Sequence, residues 1–379
     1  SGMVAVMTQN IGAGRPGVAY QARQLGLAFN AVLGVIMSLF LSLGAGIILS
    51  GVGVADALMQ PAKTYLQIVG GFCILNALIP ICSSYLRAFG FSKEPLYASI
   101  IGNVINFCLN AFFLFVLHKG VAGVATATVI SRIINLVIVV LLGAVLVKAK
   151  QHPERESNRA VMGQIIRIGL PSACETAIYN VSMTLVIRFL NQMDAQGLNV
   201  TARSYTMQIT NFSYCVGAAL AQANAIMTGW HIGAKEYDAC DRGTKKAAVI
   251  GVIVAVILET VFTLCSGWIM QLFSKDPQMV SLVGKLLAID IVLEIGRVTN
   301  LVYGQALKTS GDAVFPVVMG ACFMILCSVG GTYLFGIRLG LLAVGAYIGM
   351  TGDECVRAVG MYLRWKSGKW KEKGLVKSR

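Results

Sequence analysis

Six carboxylates that stand inside apolar runs are the residues of this sequence best placed to do chemistry: Glu175, Glu259, Asp290, Glu294, Asp353 and Glu354. An ionisable group at the centre of a bilayer costs about 2.5–3.5 kcal/mol on insertion scales, so it faces a cavity or a partner. Spacing sorts the six. Asp290, Glu294 and Arg297 lie at i, i+4 and i+7, one face of a helix, and Asp353 and Arg357 repeat the i, i+4 relation. Glu175 follows Pro171 by one turn, where the missing proline N–H frees a backbone carbonyl. Counted inward at about 1.5 Å per residue, Glu175, Glu294 and Asp353 each reach the middle third of the hydrocarbon layer, so three helices can converge on one site. Carboxylates in such a place exchange a proton, Na+ or an organic cation for one another. Glu175, Asp290, Glu294, Arg297 and Asp353 are therefore the expected cation-coupling residues, with Na+ placed at Glu175 and Glu294. The competing reading is that these acids only neutralise Arg297 and Arg357 as structural pairs. Glu259, alone in its run, stands outside the set.

A lipophilic cation also needs aromatic or polarizable surface. Tyr179, Tyr205, Met207, Phe212 and Tyr214 are the candidate substrate contacts, against the plainer reading that they pack between helices. His118, His152 and His231 are placed in connections, with no carboxylate or cysteine at ligand spacing, and the ten cysteines contain no C-x-x-C pair. Catalytic metal, resident cofactor and disulfide framework are not expected, nor is an enzyme.

The elements that must position these groups follow from composition. Of 379 residues 56% are hydrophobic and only 13% charged, with mean hydropathy +0.72. Roughly a quarter would be charged in a soluble domain of this size, which excludes a soluble enzyme or a disordered chain. The formal charge of +14 does not signal nucleic acid, because the basic residues lie between apolar runs of membrane-spanning length. Ten complete spans are expected, near residues 25–51, 65–87, 96–117, 123–147, 167–190, 203–230, 247–273, 279–303, 316–337 and 341–363, preceded by a partial span over 1–13.

Most Lys and Arg fall in one set of alternate connections, including Lys148 to Arg167, Lys235 to Lys246, Lys308 and the tail from Arg364. The opposite connections hold only Lys63, Lys119, Arg203, Lys275 and Arg338. The first set is thus expected on the cytoplasmic side of a plasma (inner) membrane, the C-terminus with it, and the tail KSGKWKEKGLVKSR is expected on the membrane surface.

The sequence also repeats. Ile11-Gly12-Ala13-Gly14 returns as Ile232-Gly233-Ala234-Lys235, Arg87-Ala88-Phe89 as Gln305-Ala306-Leu307, and Gly120-Val121 as Gly340-Leu341. All three offsets are about 220 residues, and six spans separate the first pair, so the repeats are parallel about an axis along the membrane normal. The organisation expected is an N-lobe over 1–147, a linker over 148–166, a C-lobe over 167–363 and a basic tail over 364–379. In the N-lobe, Asn103, Asn106 and Asn110 share one face, which reads as interhelical hydrogen bonding. Asp312, beside Gly311, is expected to cap a helix.

Together these residues resemble a known family. Gln9 to Pro16 with Ala19, the run YLRAFGFSKEPLYASIIGNVINFCLNAFFLF ending in GVAGVATATVISR, the Gly169-Leu170-Pro171 opening and ALKTSGDAVFP are similar to the multidrug and toxic compound extrusion (MATE) transporters, along essentially the whole chain. The resemblance implies an all-α polytopic membrane protein of two six-helix bundles. It also implies export of drugs or other organic cations in exchange for Na+ or H+, by alternating access between the lobes of a monomer. Relative to that pattern the first helix and half of the second are absent here, and some members carry a coupling acid on that first helix. Two other readings are an inactive transporter fragment and a lipid-linked oligosaccharide flippase, whose groove would need basic residues for a diphosphate; Arg132 and Arg188 are the candidates the sequence offers.

Overall fold

A computed structural model describes residues 2–52, 56–148, 152–194 and 197–376. Among them there is no strand, and an all-α polytopic architecture is what they form. The helices are α1 (Gly2–Gly12), α2 (Pro16–Leu43), α3 (Ala45–Val52), α4 (Asp56–Gly71), α5 (Ile74–Ala88), α6 (Lys93–Ala111), α7 (Gly120–Leu146), α8 (Asn158–Met193), α9 (Leu198–Gly233), α10 (Tyr237–Leu264), α11 (Ser266–Met270), α12 (Pro277–Ser310), α13 (Val314–Phe323) and α14 (Leu342–Lys366). Wide turns extend α6 over Phe112–Val116 and α13 over Met324–Val329 and Thr332–Arg338.

Each of the ten expected spans coincides with a helix or a bent pair of helices. Among the described residues five helices are long and apolar enough to cross a membrane, six if α4 and α5, bent by 41°, form one span. Among those that fall short are α8, α9, α12 and α14, whose charged and polar side chains lower their mean hydropathy; of these Arg203, Asp290, Glu294, Lys308, Asp353 and Arg357 are buried. Outside them, large apolar side chains such as Phe40, Ile47, Leu264 and Trp268 stand exposed, as a lipid-facing surface requires.

The chain folds as two compact units, Arg15–Gly163 and Ser1–Gly14 with Gln164–Arg379. The partial span at the N-terminus, expected in the N-lobe, therefore groups with the C-terminal helices; residues 149–151 of the expected linker lie outside the described segments. Glycine is the reason. A Cβ on Gly12 would sit 2.0 Å from the Trp230 carbonyl oxygen, and one on Gly233 2.0 Å from that of Gln9, while Gly229 would meet Thr8 Oγ1 at 1.8 Å. Backbones that close can cross only where side chains are absent. Gly12 and Gly233 are repeat mates, so α1 and α9 cross at equivalent positions of the two repeats.

In the smaller unit, Arg15 pairs with Glu156 at 2.7 Å, and Gln21 Nε2 donates to the Glu156 carbonyl and to Asn158 Oδ1. Asn110 Nδ2 donates to Asn106 Oδ1 at 3.1 Å, within α6.

The larger unit is organised around α12, which packs on α9, α10 and α14 and is buried along most of its length. Its start is fixed by Asp276, whose carboxylate accepts from the Gln278 N–H at 3.0 Å, with Pro277 in the first turn. Its end is fixed by Gly311 at φ +100°, where a Cβ would also strike the Lys373 carbonyl at 2.3 Å. Apolar clusters lie towards both ends, one around Leu286, Leu287 and Leu293, the other around Val298, Val302 and Leu307.

Two expectations at the surface change. The tail packs on its own protein as far as Leu375: Trp370 is buried, stacks on Trp365 at 4.1 Å and donates to its carbonyl, and the Leu375 N–H donates to Gln9 Oε1 at 2.7 Å. Its interleaved apolar residues find a protein surface before a lipid one. Asp312 makes no helix cap; it accepts from Arg364 Nε at 2.7 Å, an ion pair between the ends of two helices.

Candidate cation and substrate site

Polar side chains of four helices form stripes of three- and four-residue steps, the spacing that keeps one helix face towards a neighbour. On α12 the stripe runs Asp290, Glu294, Arg297, Leu301, Gly304, Lys308; on α9, Arg203, Met207, Thr210, Tyr214; on α14, Tyr347, Met350, Glu354, Arg357, Met361; on α8, Ser172, Thr176, Tyr179, Met183. These faces surround two cavities. The larger, about 380 Å³, is lined by Glu175, Tyr179, Tyr214, Arg297, Lys308, Glu354 and Arg357 among others. The smaller, about 220 Å³, is lined by Tyr179, Arg203, Met207, Tyr214, Asp290, Arg297 and Tyr347 among others. Tyr179, Tyr214 and Arg297 border both and so stand between them. The Arg297 guanidinium lies 6.0 Å from the Tyr214 ring centroid.

Charges around the larger cavity are paired in a chain. Lys308 Nζ is 2.5 Å from Glu175 Oε2. Arg357 Nη2 meets Glu354 Oε1 at 2.9 Å, Arg297 Nε reaches the same oxygen at 3.8 Å, and Asn300 Nδ2 donates to Glu354 Oε2 at 3.0 Å. Arg297 also donates to Glu294, which is fully buried behind it. Asp353 accepts from Arg357 Nε and Nη2 at 2.8 and 2.9 Å and from Ser328 Oγ at 3.0 Å. A cavity dominated by acids was the expectation from sequence; instead the acids facing this one each hold a basic partner. Glu175 lines the larger cavity, whereas Glu294 lines neither cavity and lies behind Arg297, which borders both. Both oxygens of Asp353 are engaged, and it lines neither cavity.

Asp290 opens on the smaller cavity and keeps Oδ2 without a hydrogen-bond partner. Glu259 is fully buried with both oxygens unpartnered. Among the substrate candidates, Tyr179 and Tyr214 border both cavities and Met207 the smaller one. Phe212 is exposed and faces Phe262 at 6.5 Å across a separate groove. Tyr205 packs on Phe273 at 5.3 Å beside the apolar cluster of Leu286.

Sequence reasoning placed Lys308 and Arg203 in connections on opposite faces, whereas both are buried within helices and line cavities. Extending the Asp290–Glu294–Arg297 face by three- and four-residue steps reaches Lys308 directly, and the same steps from Tyr214 reach Arg203. Glu354, counted among the six intramembrane acids but left out of the coupling set, and Asn300, which was not singled out, also line the larger cavity. No group of three or more His, Cys, Asp or Glu able to hold a metal exists among the described residues.

A profile of the family described as MatE matches residues 1–112 and 171–334. The chain belongs to the MatE family. It is 32% identical over 382 residues to the uncharacterized transporter YisQ of Bacillus subtilis (strain 168), covering 99% of this chain and 84% of that one. With the probable multidrug resistance protein NorM of Thermotoga maritima it shares 22% identity over 89% of this chain and 76% of the relative. The fold agrees: a crystal structure of MATE in the bent conformation superposes with a TM-score of 0.88 at 18% identity, over 98% of this chain and 83% of that one. The relative at 32% identity is named a transporter and the one at 22% a probable multidrug resistance protein; a multi-pass membrane transporter is what the family and the fold make of this chain.

Proposed function

We propose that the chain is a cation-coupled antiporter that exports organic cations by alternating access, with Na+ or H+ as the coupling ion. The observation that carries this reading is the Lys308–Glu175 ion pair on the wall of a 380 Å³ cavity. A carboxylate whose partner is a flexible lysine stays paired when a cationic guest replaces that lysine, and the freed ammonium can swing to water in the cavity instead of staying unpaired in a low-dielectric interior. The coupling ion or the substrate takes Glu175 and releases Lys308; departure of the guest restores the internal pair. Glu294 and Arg297 form the corresponding pair deeper in the lobe, and Tyr179 and Tyr214 supply aromatic faces for the guest. Because the two guests compete for one carboxylate, loading of one favours release of the other.

The test is ethidium efflux from proteoliposomes under an imposed Na+ or pH gradient. Gradient-driven efflux by the wild-type chain supports the reading; efflux indifferent to both gradients refutes it. Three basic groups on the same wall, Arg297, Lys308 and Arg357, also favour a second reading, a transporter of diphosphate-linked lipids. That reading requires scrambling of a fluorescent polyprenyl diphosphate in the same liposomes.

A further inference from the structure

Arg203 and Asp290 pose a problem that the cation-exchange site does not answer. Both open on the 220 Å³ cavity, and both are more than nine-tenths buried. The polar contact of the Arg203 guanidinium is Nη2 to Met183 Sδ at 3.7 Å, a weak acceptor, and Nε has no partner. Asp290 Oδ2 is likewise unpartnered. Arg297, the other charge on this wall, is paired with Glu294 and Glu354 and attracts Asp290 only through space, with no hydrogen bond or ion pair between them. A guanidinium stays charged at every physiological pH, so a buried one without a carboxylate demands a compensating anion. Asp290 demands the opposite, yet no ion pair joins the two: they flank a gap.

A guest with one charge fits this gap poorly. An anion on Arg203 would face Asp290, and a cation on Asp290 would face both Arg203 and Arg297. A molecule carrying both charges meets a complementary group at each end. The remaining wall includes Met183, Met207 and Met350, which suits an apolar side chain, and the volume is below that of ordinary drug sites, about 300–1,000 Å³.

We propose that this second cavity is a binding site for a small ammonium carboxylate with an apolar side chain, its carboxylate held by Arg203 and its ammonium by Asp290. The site goes beyond the exchange of cations at Glu175 and concerns binding, so it can fail while that exchange stands, and the reverse.

The experiment titrates the purified full chain in nanodiscs by calorimetry with three probes that share an isobutyl group: L-leucine, isoamylamine and isovalerate. Leucine is expected to bind at least tenfold more tightly than either singly charged probe. Arg203→Gln is expected to reduce leucine binding to the level of isoamylamine, and Asp290→Asn to the level of isovalerate. Leucine binding no tighter than the other two, or unaffected by Arg203→Gln in a protein that elutes as a folded species, overturns the proposal. Should Arg203→Gln not fold, the comparison of the three probes on the wild-type chain decides alone.

Discussion

Replacing Lys308 by methionine keeps its length and removes the charge that Glu175 holds in the absence of a guest. The pair is short, 2.5 Å, and its side chains are 11% and 17% exposed, so solvent screens it little. An ion pair of this kind contributes about 1.5–3 kcal/mol net of the water contacts it replaces. A cation entering the wild-type cavity must displace Lys308 and forgo that energy; in the variant it need not. At about 1.4 kcal/mol per factor of ten, the dissociation constant for a lipophilic cation should fall about ten- to hundredfold in Lys308→Met. Fluorescence anisotropy of ethidium titrated with the purified chain measures it directly. The double variant Glu175→Gln/Lys308→Met should lose the gain, because the gain acts through Glu175. It should also melt above Lys308→Met, in which an uncompensated carboxylate is left behind. Ethidium binding unchanged or weaker in Lys308→Met, or an equal gain in the double variant, would refute the idea that lysine and guest compete.

Other consequences are as specific. Glu259→Met removes two buried oxygens that lack partners, each costing about 1–3 kcal/mol, so thermal melting should hold or rise; a fall of several degrees would show that Glu259 has an essential partner. Trp370→Ala should cost about 3–5 kcal/mol in stability and free the tail to proteolysis after Lys369, since the indole is buried against Trp365 and Tyr237. Between α8 and α9, burial nudges the Asp194 carboxyl upward, but bonds from the backbone and side chain of Asn199 and the backbone of Leu198 outweigh it and hold the group below the usual carboxylate range. Its stabilising effect is therefore complete at neutral pH and is lost as pH falls below the carboxylate range, so amide exchange at Leu198 and Asn199 should accelerate there and be insensitive to pH between 6 and 8 once the intrinsic rate is divided out. Asp194→Asn should remove that acid dependence.

Much of this was legible in residue spacing. Apolar length placed a helix over each expected span, and the i, i+4, i+7 relation put Asp290, Glu294 and Arg297 on one face, where the structure has them. What spacing alone did not give is partner choice across helices. Lys308 and Arg203 sit near the ends of apolar runs, where a basic residue reads as a connection; only the continuation of α12 to Ser310 and of α9 back to Leu198 turns them inward. The grouping of α1 with the C-terminal helices was hidden in the same way, because Gly12 and Gly233 reveal a crossing only when the two are seen face to face. The tail misled through composition: its lysines dominate the average, while Trp370 and Leu375 decide where it packs.

If Glu175 and Glu294 each release an internal base to receive a transported ion, the most direct measurement is the stoichiometric release of ethidium from liposomes. Vesicles containing Glu175→Gln, Glu294→Gln or the wild-type chain are each challenged with a sudden Na+ or proton jump. Exchange at these carboxylates predicts a jump-driven burst for the wild type and none for either amide variant, both still eluting as folded protein. A burst of wild-type size from either variant would contradict it.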